Sequence, residues 1–380
     1  MPTTRPGANG LGMDLLTSVA GSFAETYAEA REKFLAALAA ASTDPRVYAN
    51  PNKGPDGGDL ACETAWIGSE DAAKVLVVIS ATHGVEGFCG SGIQVDWLTD
   101  DGPARLPHGV AVLMVHALNC HGFAWWRRVT EEGCDLNRNF IDFTQPVPDN
   151  PGHDELVDAF VPASLDEATI EAGERQIAKF RKAHGELAFQ SARKAGQYRH
   201  AHSVFFGGFE ETWSRRTLAR IFDDYRLGDR TTVSVVDVHT GLGPFGYGEP
   251  ICGHKRGSVG LDRVLSMYGH STGLPAEGQS FSIPLHGTQR AFWQPRLEDR
   301  YTYVALEFGT FDTDRGRRTL RADHWLHNQG DVDWDDPRTR EIKMDLRTQY
   351  YPATDDWKEM VLWRGRQVLR QTLDGLTRFG

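Results

Sequence analysis

The feature that most constrains the fold is the stretch from Val75 to Gln94, VLVVISATHGVEGFCGSGIQ. Its opening apolar run, which ends at Ser80, is typical of a strand buried on both faces of a parallel sheet. A turn with His83 and Glu86 follows, and a helix is expected to begin near Ser91. Functional residues of parallel sheets lie beyond the carboxyl ends of the strands, so this turn is a candidate site.

Three further apolar runs predict buried strands, at 109–117, 232–238 and 301–306. Residues that can bind a metal or move a proton follow every one of the four strands. They are His83 and Glu86 after the first, Arg127, Arg128, Asn137 and Arg138 after the second, His239 after the third and Glu307 after the fourth. Packing alone does not explain this repeated placement, so the sequence predicts a functional constellation.

The remaining elements are predicted from capping residues, composition and periodicity. They are a helix from the capping box Ser22–Glu25 to about Ala41, a loop over 50–59, a strand over 60–67 that pairs with the strand at 75–80, a helix that Ser164 and Glu167 open and that ends near His184, and a closing helix around Trp357. Residues 141–163, rich in Pro and Asp, are expected to form an excursion from the sheet.

Composition narrows the class of protein. The 380 residues carry a net charge of -11, which argues against a nucleic-acid partner and against an anionic membrane surface. The five cysteines are odd in number and widely spread, so they indicate neither a disulfide framework nor a Cys-x-x-Cys metal site. The chain start lacks the apolar core of a signal peptide, and we expect a reducing, cytoplasmic location.

His83, Glu86 and His239 form a candidate zinc site. His83 and Glu86 stand three residues apart, close enough to ligate one ion, and two neutral nitrogens with one carboxylate leave the metal positively charged. Such a metal acidifies bound water and polarises a carbonyl. Asp237 lies two residues before His239 and shares its face of the strand, so it can orient a ligand imidazole.

The other residues of the constellation suit hydrolysis of an amide. Glu307 is the candidate general base, which takes a proton from water and delivers it to the leaving nitrogen. Arg128 can stabilise the negative charge of a tetrahedral intermediate. Asn137 and Arg138 suit a substrate carboxylate, because a guanidinium group binds carboxylates bidentately. Together these residues predict cleavage of an amide next to a free carboxylate.

The same residues resemble the zinc carboxypeptidase superfamily, which includes the aspartoacylase and succinylglutamate desuccinylase deacylases. The resemblance lies in His83-x-x-Glu86, in Asp-Leu-Asn137-Arg138-Asn-Phe, and in His239 and Glu307 after buried strands. The motifs Gly-Phe-Ala-Trp-Trp-Arg-Arg, Gly196-Gln-Tyr and Phe205-Phe-Gly-Gly-Phe-Glu-Glu-Thr-Trp-Ser are similar to those of a bacterial branch that is defined by an uncharacterised domain. The resemblance runs from about residue 20 to the end of the chain.

The resemblance implies a three-layer α/β/α fold with a mixed, mainly parallel eight-stranded sheet. It implies a single catalytic domain over 1–380 with an insert at about 141–230, because the segment after Phe140 is longer than in typical carboxypeptidases. One zinc per chain is implied, held by His83, Glu86 and His239, with Glu307 as base. Arg128 matches the oxyanion arginine, with Arg127 as the neighbouring alternative, and Asn137 and Arg138 match the pair that holds a terminal carboxylate.

The substrate class implied is a small peptide or an N-acyl amino acid, and the exopeptidase and deacylase interpretations both stay open. No tyrosine is assigned as the cap of the pocket, although Tyr247 lies near His239 in the sequence.

Two alternative functions belong to other classes of protein. Gly269-His-Ser271-Thr-Gly273 matches the nucleophile-elbow pattern of serine hydrolases, with a later Asp and His324 or His327 completing the triad. That motif requires a strand before it and a helix after it, whereas the preceding residues look helical. The other alternative is a non-catalytic binding module that keeps the fold.

Overall fold

The computed structural model of the protein describes Val19 and residues 21–379, and the chain start on which the signal-peptide prediction rests lies outside them. The strands of the described residues are β1 (Arg46–Lys53), β2 (Asp59–Ile67), β3 (Lys74–Ile79), β4 (Val110–His116), β5 (Thr232–Phe245), β6 (Gly248–Ile251) and β7 (Tyr301–Gly309). The helices are α1 (Tyr27–Ala40), α2 (Gly87–Thr99), α3 (Cys120–Ala124), α4 (Pro151–Phe160), α5 (Glu167–His184), α6 (Glu186–Lys194), α7 (Trp213–Asp224), α8 (Val259–Tyr268), α9 (Arg290–Leu297), α10 (Thr313–His327), α11 (Pro337–Tyr350) and α12 (Asp355–Arg378).

The strands form one mixed sheet in the order β1-β2-β4-β3-β5-β7-β6. The four strands β4, β3, β5 and β7 are parallel to one another, and the outer strands pair antiparallel with their neighbours. The mixed sheet with a parallel centre confirms the predicted fold class. The predicted count of eight strands was wrong, because within the described residues the long connections before β5 and between β6 and β7 contain helices and loops but no strand of the sheet.

Helices cover both faces of the sheet, as the α/β/α prediction requires. Leu76 and Val78 of β3 point into one core with α1, α2, α8 and α12, and Val75 and Val77 point into a second core with α7 and α9. The alternation follows from the two-residue period of a strand. All of these β3 side chains are buried, which explains the unbroken apolar run in the sequence.

The antiparallel edge differs from the sequence-based expectation in two ways. β2 pairs with β1 and β4 and not with β3, because β3 uses both of its edges for the parallel partners β4 and β5. The expected loop over 50–59 begins only after Lys53, since β1 extends through Pro51. Proline is tolerated at that position because β1 is an edge strand, and its register shifts between Ala49 and Lys53.

Two helices begin at other residues than expected. α1 starts after Thr26, whose side chain accepts a hydrogen bond from the backbone N–H of Glu29, so Thr26 and not Ser22 caps this helix. α2 starts at Gly87 and not near Ser91, because the turn that carries Glu86 runs directly into it. The predicted end of α5 at His184 is confirmed.

The segment 141–230 contributes α4, α5, α6 and α7. It forms a third apolar cluster, in which Leu156, Phe180 and Phe189 pack with Leu320 of α10 and Leu346 of α11. The segment therefore packs on the helices that follow β7 and not only on itself. No helix in the described part of the chain is long and apolar enough to cross a lipid bilayer.

His153 joins α4 to α6 inside this segment. Its side chain is fully buried, its Nδ1 donates to the carbonyl of Ala192, and its Nε2 accepts from the hydroxyl of Ser203. Burial lowers the pKa of His153 to about 4. The folded protein therefore keeps this imidazole neutral at a pH where the unfolded chain takes up a proton.

We expect this histidine to make stability depend on pH. Because its folded pKa lies below its unfolded pKa, its contribution is complete above pH of about 6.5 and is lost as the pH falls, by about 2 kcal/mol at pH of about 5. His153→Gln is expected to lose stability at neutral pH but to show a correspondingly smaller drop on acidification. Urea unfolding at the two pH values measures this, with the exposed His184→Gln as control. An unchanged pH dependence in His153→Gln would contradict the argument.

Candidate metal centre and active-site cavity

The parallel centre of the sheet brings the predicted residues together. His83 and Glu86 lie in the turn after β3, and β3 is hydrogen-bonded to β5, which carries His239. β5 is in turn paired with β7, and in that pairing His239 and Glu307 are register partners. The carboxyl ends of three neighbouring strands therefore supply all four side chains.

The turn that carries His83 is fixed by the backbone. The N–H groups of Gly84 and Val85 donate to the carbonyls of Arg128 and Arg127. A Cβ atom at Gly84 would lie 2.0 Å from the carbonyl carbon of Gly122, so only glycine allows this close approach.

The three candidate ligands present their donor atoms to one point. Nδ1 of His83 lies 3.2 Å from Nδ1 of His239, and the two carboxylate oxygens of Glu86 lie 3.1 Å and 3.2 Å from those nitrogens. One donor atom from each residue lies within 4.8 Å of the other two. All three side chains are buried.

The opposite nitrogen of each imidazole faces a buried carboxylate. Nε2 of His239 lies 2.8 Å from Asp237, and Nε2 of His83 lies 2.9 Å from Asp135. Arg128 also approaches Nε2 of His83, but an ionised carboxylate accepts only, so we assign Nε2 as the donor in both rings. The two Nδ1 atoms then carry lone pairs that face each other and Glu86. That arrangement fits a cation.

The electrostatics of the cluster favour a positive charge between the three side chains. Burial alone would raise the pKa of Glu86, but His83, His239 and Arg128 hold it below its usual value. Asp237 and Glu86 overcome the burial of His239 and raise its pKa. The cluster thus favours positive charge at its centre, and two imidazoles with one carboxylate are a ligand set of catalytic zinc.

Asp135 is a residue of the candidate site that the sequence analysis missed, whereas the contact of Asp237 with His239 was expected. Asp135 is fully buried, and Arg128, His83 and Arg138 keep its pKa well below the usual value although burial opposes this. Its position two residues before Asn137 was the available signal, since it stands inside the Asp-Leu-Asn-Arg motif.

The two neighbouring arginines have different environments. Arg128 lines the cavity in front of the cluster, and its guanidinium donates to Glu86 over 2.7 Å and to Asp135 over 3.0 Å. Arg127 was predicted as a substrate-binding alternative, but its Nε donates to the buried Asp323 over 3.0 Å and it is not among the residues that line the cavity. Adjacent residues in this loop point in different directions, which the sequence did not reveal.

Asn137 and Arg138 both line the cavity. Arg138 is 2% exposed, and it donates through Nε to the carbonyl of Lys194 and through Nη1 to that of Asn137. The Oδ1 atom of Asn137 accepts from the backbone N–H of Gln289. The backbone therefore orients both side chains, and no hydrogen bond among the described residues uses Nη2 of Arg138 or the amide NH₂ of Asn137 as a donor.

The cavity has a volume of about 310 Å³, and His83, His239 and Glu307 all line it. Glu307 is half-buried on the face of β7 that also presents Tyr303 and Ala305. Burial and then the negative charge of Glu86 raise the pKa of Glu307 to about 8. A carboxyl group with such a pKa can exchange a proton near neutral pH.

Two tyrosines, Tyr303 and Tyr350, line the cavity, and the sequence analysis identified neither as a site residue. Tyr350, the last residue of α11, lines the cavity, and burial raises its pKa to about 12. Tyr247, which is near His239 in sequence, is 40% exposed and does not line this cavity. Arg193, Lys194 and Phe205 also line the cavity without having been predicted as site residues.

Ser271 has none of the surroundings of a catalytic serine. It lies in a short turn directly after α8, and no strand precedes it as the nucleophile elbow requires. Its hydroxyl donates to the carbonyl of Tyr268 and accepts from Arg364. Within the described residues no histidine is hydrogen-bonded to it, so the serine-hydrolase alternative has no structural support.

The chain was compared with known protein families and proteins. The family model described as "Protein of unknown function (DUF2817)" matches residues 23–364. The chain belongs to the DUF2817 family. No curated protein sequence matches this member.

Three solved structures show similarity to this chain. Carboxypeptidase A from Helicoverpa armigera is 11% identical with a TM-score of 0.51, over 96% of this chain and 79% of that chain. Thrombin activatable fibrinolysis inhibitor is 11% identical with a TM-score of 0.46, over 90% and 77%. The succinylglutamate desuccinylase from Chromobacterium violaceum is 15% identical with a TM-score of 0.37, over 85% and 74%. The first of these shows a shared carboxypeptidase fold, which confirms the predicted resemblance at the level of the fold.

We expect Asp135 to matter for metal affinity because it fixes the ring of His83. Asp135→Asn should keep all three ligands but weaken zinc binding by about 10–100-fold, since an amide holds the imidazole less well than a carboxylate. Competition with a zinc chelator measures this affinity. The exposed Asp44→Asn is the matched control and should bind zinc like the unchanged protein. Equal affinities for Asp135→Asn and Asp44→Asn would refute the assigned role.

Proposed function

We propose that this protein is a zinc-dependent hydrolase that cleaves an amide bond next to a free carboxylate in a small peptide or an N-acyl amino acid. The observation that carries the proposal is the cluster of His83, Glu86 and His239, which opens on a cavity that also holds Glu307 and Arg138. The carboxypeptidase-like fold supports it.

His83 and His239 would hold one zinc ion through Nδ1, and Glu86 would hold it through its carboxylate. Bound zinc supplies Lewis acidity, which lowers the pKa of water and polarises a carbonyl. The chain itself supplies the oriented rings, because Asp135 and Asp237 fix both imidazoles from behind.

Glu307 acts as the general base in this proposal. It accepts a proton from the attacking water and passes that proton to the nitrogen that leaves. Glu307 is the register partner of His239 in the β5–β7 pairing, and it is not a member of the cluster of His83, Glu86 and His239.

The arginines bind the parts of the substrate that carry negative charge. Arg128, 2.7 Å from Glu86, stabilises the charge that develops on the amide oxygen. Arg138 and Asn137 hold the free carboxylate with the donors that the backbone leaves available. In this proposal the scissile amide lies between this carboxylate site and the cluster, because both line the same cavity.

The proposal extends to the whole chain and its location. We propose a single catalytic domain over 1–380 with the segment 141–230 as an insert, because that segment contributes to the cavity through Arg193 and Phe205. All five cysteines are free and buried, which suits a protein of the cytoplasm.

We expect Glu307→Gln to separate chemistry from metal binding. Removing the base should lower kcat by about 10²–10⁴-fold while the protein still binds one zinc per chain. The hydrolysis rates of a panel of peptides with free C-terminal carboxylates and of N-acyl amino acids give kcat. The zinc content, measured in parallel, gives the metal bound per chain. The exposed Glu70→Gln is the matched control.

Other outcomes of this experiment identify the alternatives. Full activity of Glu307→Gln would remove Glu307 from the mechanism. Activity that survives metal removal but is lost in Ser271→Ala would favour a serine hydrolase. Zinc binding with no hydrolysis of any panel member would favour a non-catalytic binding module.

A further inference from the structure

The cavity holds more positive charge than one substrate carboxylate requires. Five cationic side chains line it: Arg128, Arg138, Arg193, Lys194 and Arg290. Arg128 is neutralised by Glu86 and Asp135, to which it is hydrogen-bonded. The proposed carboxylate site uses Arg138. Arg193 and Lys194, at the end of α6, have no part in the reaction as described above.

Arg193 and Lys194 lack an anionic partner. Within the described residues no carboxylate oxygen lies within 4.0 Å of either side chain. Arg193 is only 4% exposed, and the one hydrogen bond that its side chain makes with the described residues is a 3.3 Å contact to the carbonyl of Thr313. Lys194 is half-buried, and its ammonium group makes no hydrogen bond to any residue that the structure describes. Charges that are removed from water are normally paired in proteins, so the buried Arg193 and the half-buried Lys194 favour the binding of an anion at this wall of the cavity.

The ring of Phe205 lies near three of these cationic side chains. The guanidinium carbons of Arg128, Arg138 and Arg193 lie 5.3, 5.6 and 6.0 Å from the centre of its ring. The side chain of Arg138 also donates to the carbonyl of Lys194, which places the end of α6 beside the first carboxylate site. Phe205 itself has a φ of 55°, a conformation that non-glycine residues rarely adopt and that is often kept at functional sites.

The cations also disfavour one another. Burial, and then the neighbouring Arg193 and Arg128, lower the pKa of Lys194 to about 8, and burial is the main cause that lowers the pKa of Arg193 to about 10. A ligand anion would relieve this repulsion. Near neutral pH the side chains of Arg193 and Lys194 are still positively charged, so this wall of the cavity carries the charge that binding an anion requires.

We propose that the substrate carries a second negative group in addition to the carboxylate next to the scissile amide, and that Arg193 and Lys194 recognise it. The inference rests on the proposed hydrolase function and narrows its substrate class to dianionic amides. The second group is a carboxylate or an anion of similar size, located on either side of the scissile bond. The segment 141–230, through α6 and Phe205, then determines specificity.

The first test measures binding alone, by calorimetry at pH of about 7 with glutarate and with butyrate as probes. Glutarate has two carboxylates and butyrate has one, so the unchanged protein should bind glutarate at least about tenfold more tightly. Lys194→Met should lose most of this preference, Lys194→Arg should keep it, and Lys182→Met, an exposed lysine of α5, should behave like the unchanged protein. Arg193→Gln provides a second, independent loss of charge. Equal affinities for the two probes, or an undiminished preference in both Lys194→Met and Arg193→Gln, would overturn the proposal.

The second test uses substrate pairs that differ only in charge. N-acetyl-glutamate against N-acetyl-glutamine places the second anion on the amino-acid side, and N-succinyl-leucine against N-succinamoyl-leucine places it on the acyl side. In one pair the charged member should have the higher kcat/KM by at least about tenfold, and Lys194→Met should raise its KM while keeping kcat. No charge preference in either pair would overturn the proposal while leaving the hydrolase function intact. A glutarate preference without hydrolysis of any substrate would instead reject the hydrolase function and support the second anion site.

Discussion

The whole site depends on two buried hydrogen bonds, from His83 to Asp135 and from His239 to Asp237. Each bond fixes which ring nitrogen carries the proton, and thereby turns the lone pair of Nδ1 toward Glu86. Without these carboxylates the rings could rotate or change tautomer, and the three donors would no longer meet. Asp237 also accepts from Tyr303 and Thr82, so its own position is fixed by two further hydroxyl groups.

The register of the sheet is the second constraint. His239 stands opposite Glu307 because β5 and β7 pair in parallel from Val233 and Tyr301 onward. Since neighbouring residues of a strand point to opposite faces, a slip of one residue would turn Glu307 away from the cavity and into the core. The apolar residues between these charged positions are packed on both faces of the sheet, so hydrophobic packing holds the register that the chemistry requires.

The sequence predicted what is local and missed what depends on tertiary contacts. His83, Glu86, His239 and Glu307 were found because each follows an apolar run that only a central strand explains. Asp135 was missed because its partner, His83, is 52 residues away in the sequence. Arg127 was not excluded because no local sequence feature shows that its side chain points in a different direction from that of Arg128. The pairing of β2 with β4 was missed for the same reason, since the order of strands in a sheet is not encoded in any one strand.

The groups proposed for the chemistry and the groups proposed for anion recognition come from different parts of the chain. His83, Glu86, His239 and Glu307 stand on or directly after the central strands, where packing on both faces of the sheet supports them. The unpaired cations Arg193 and Lys194 come from α6, which is anchored through Phe189 to the separate apolar cluster with α10 and α11. Changes in that helix can therefore alter which anion the cavity accepts while the geometry of His83, Glu86 and His239 stays the same. A carboxypeptidase-like sheet would in this way keep one reaction and vary its substrate through the segment 141–230.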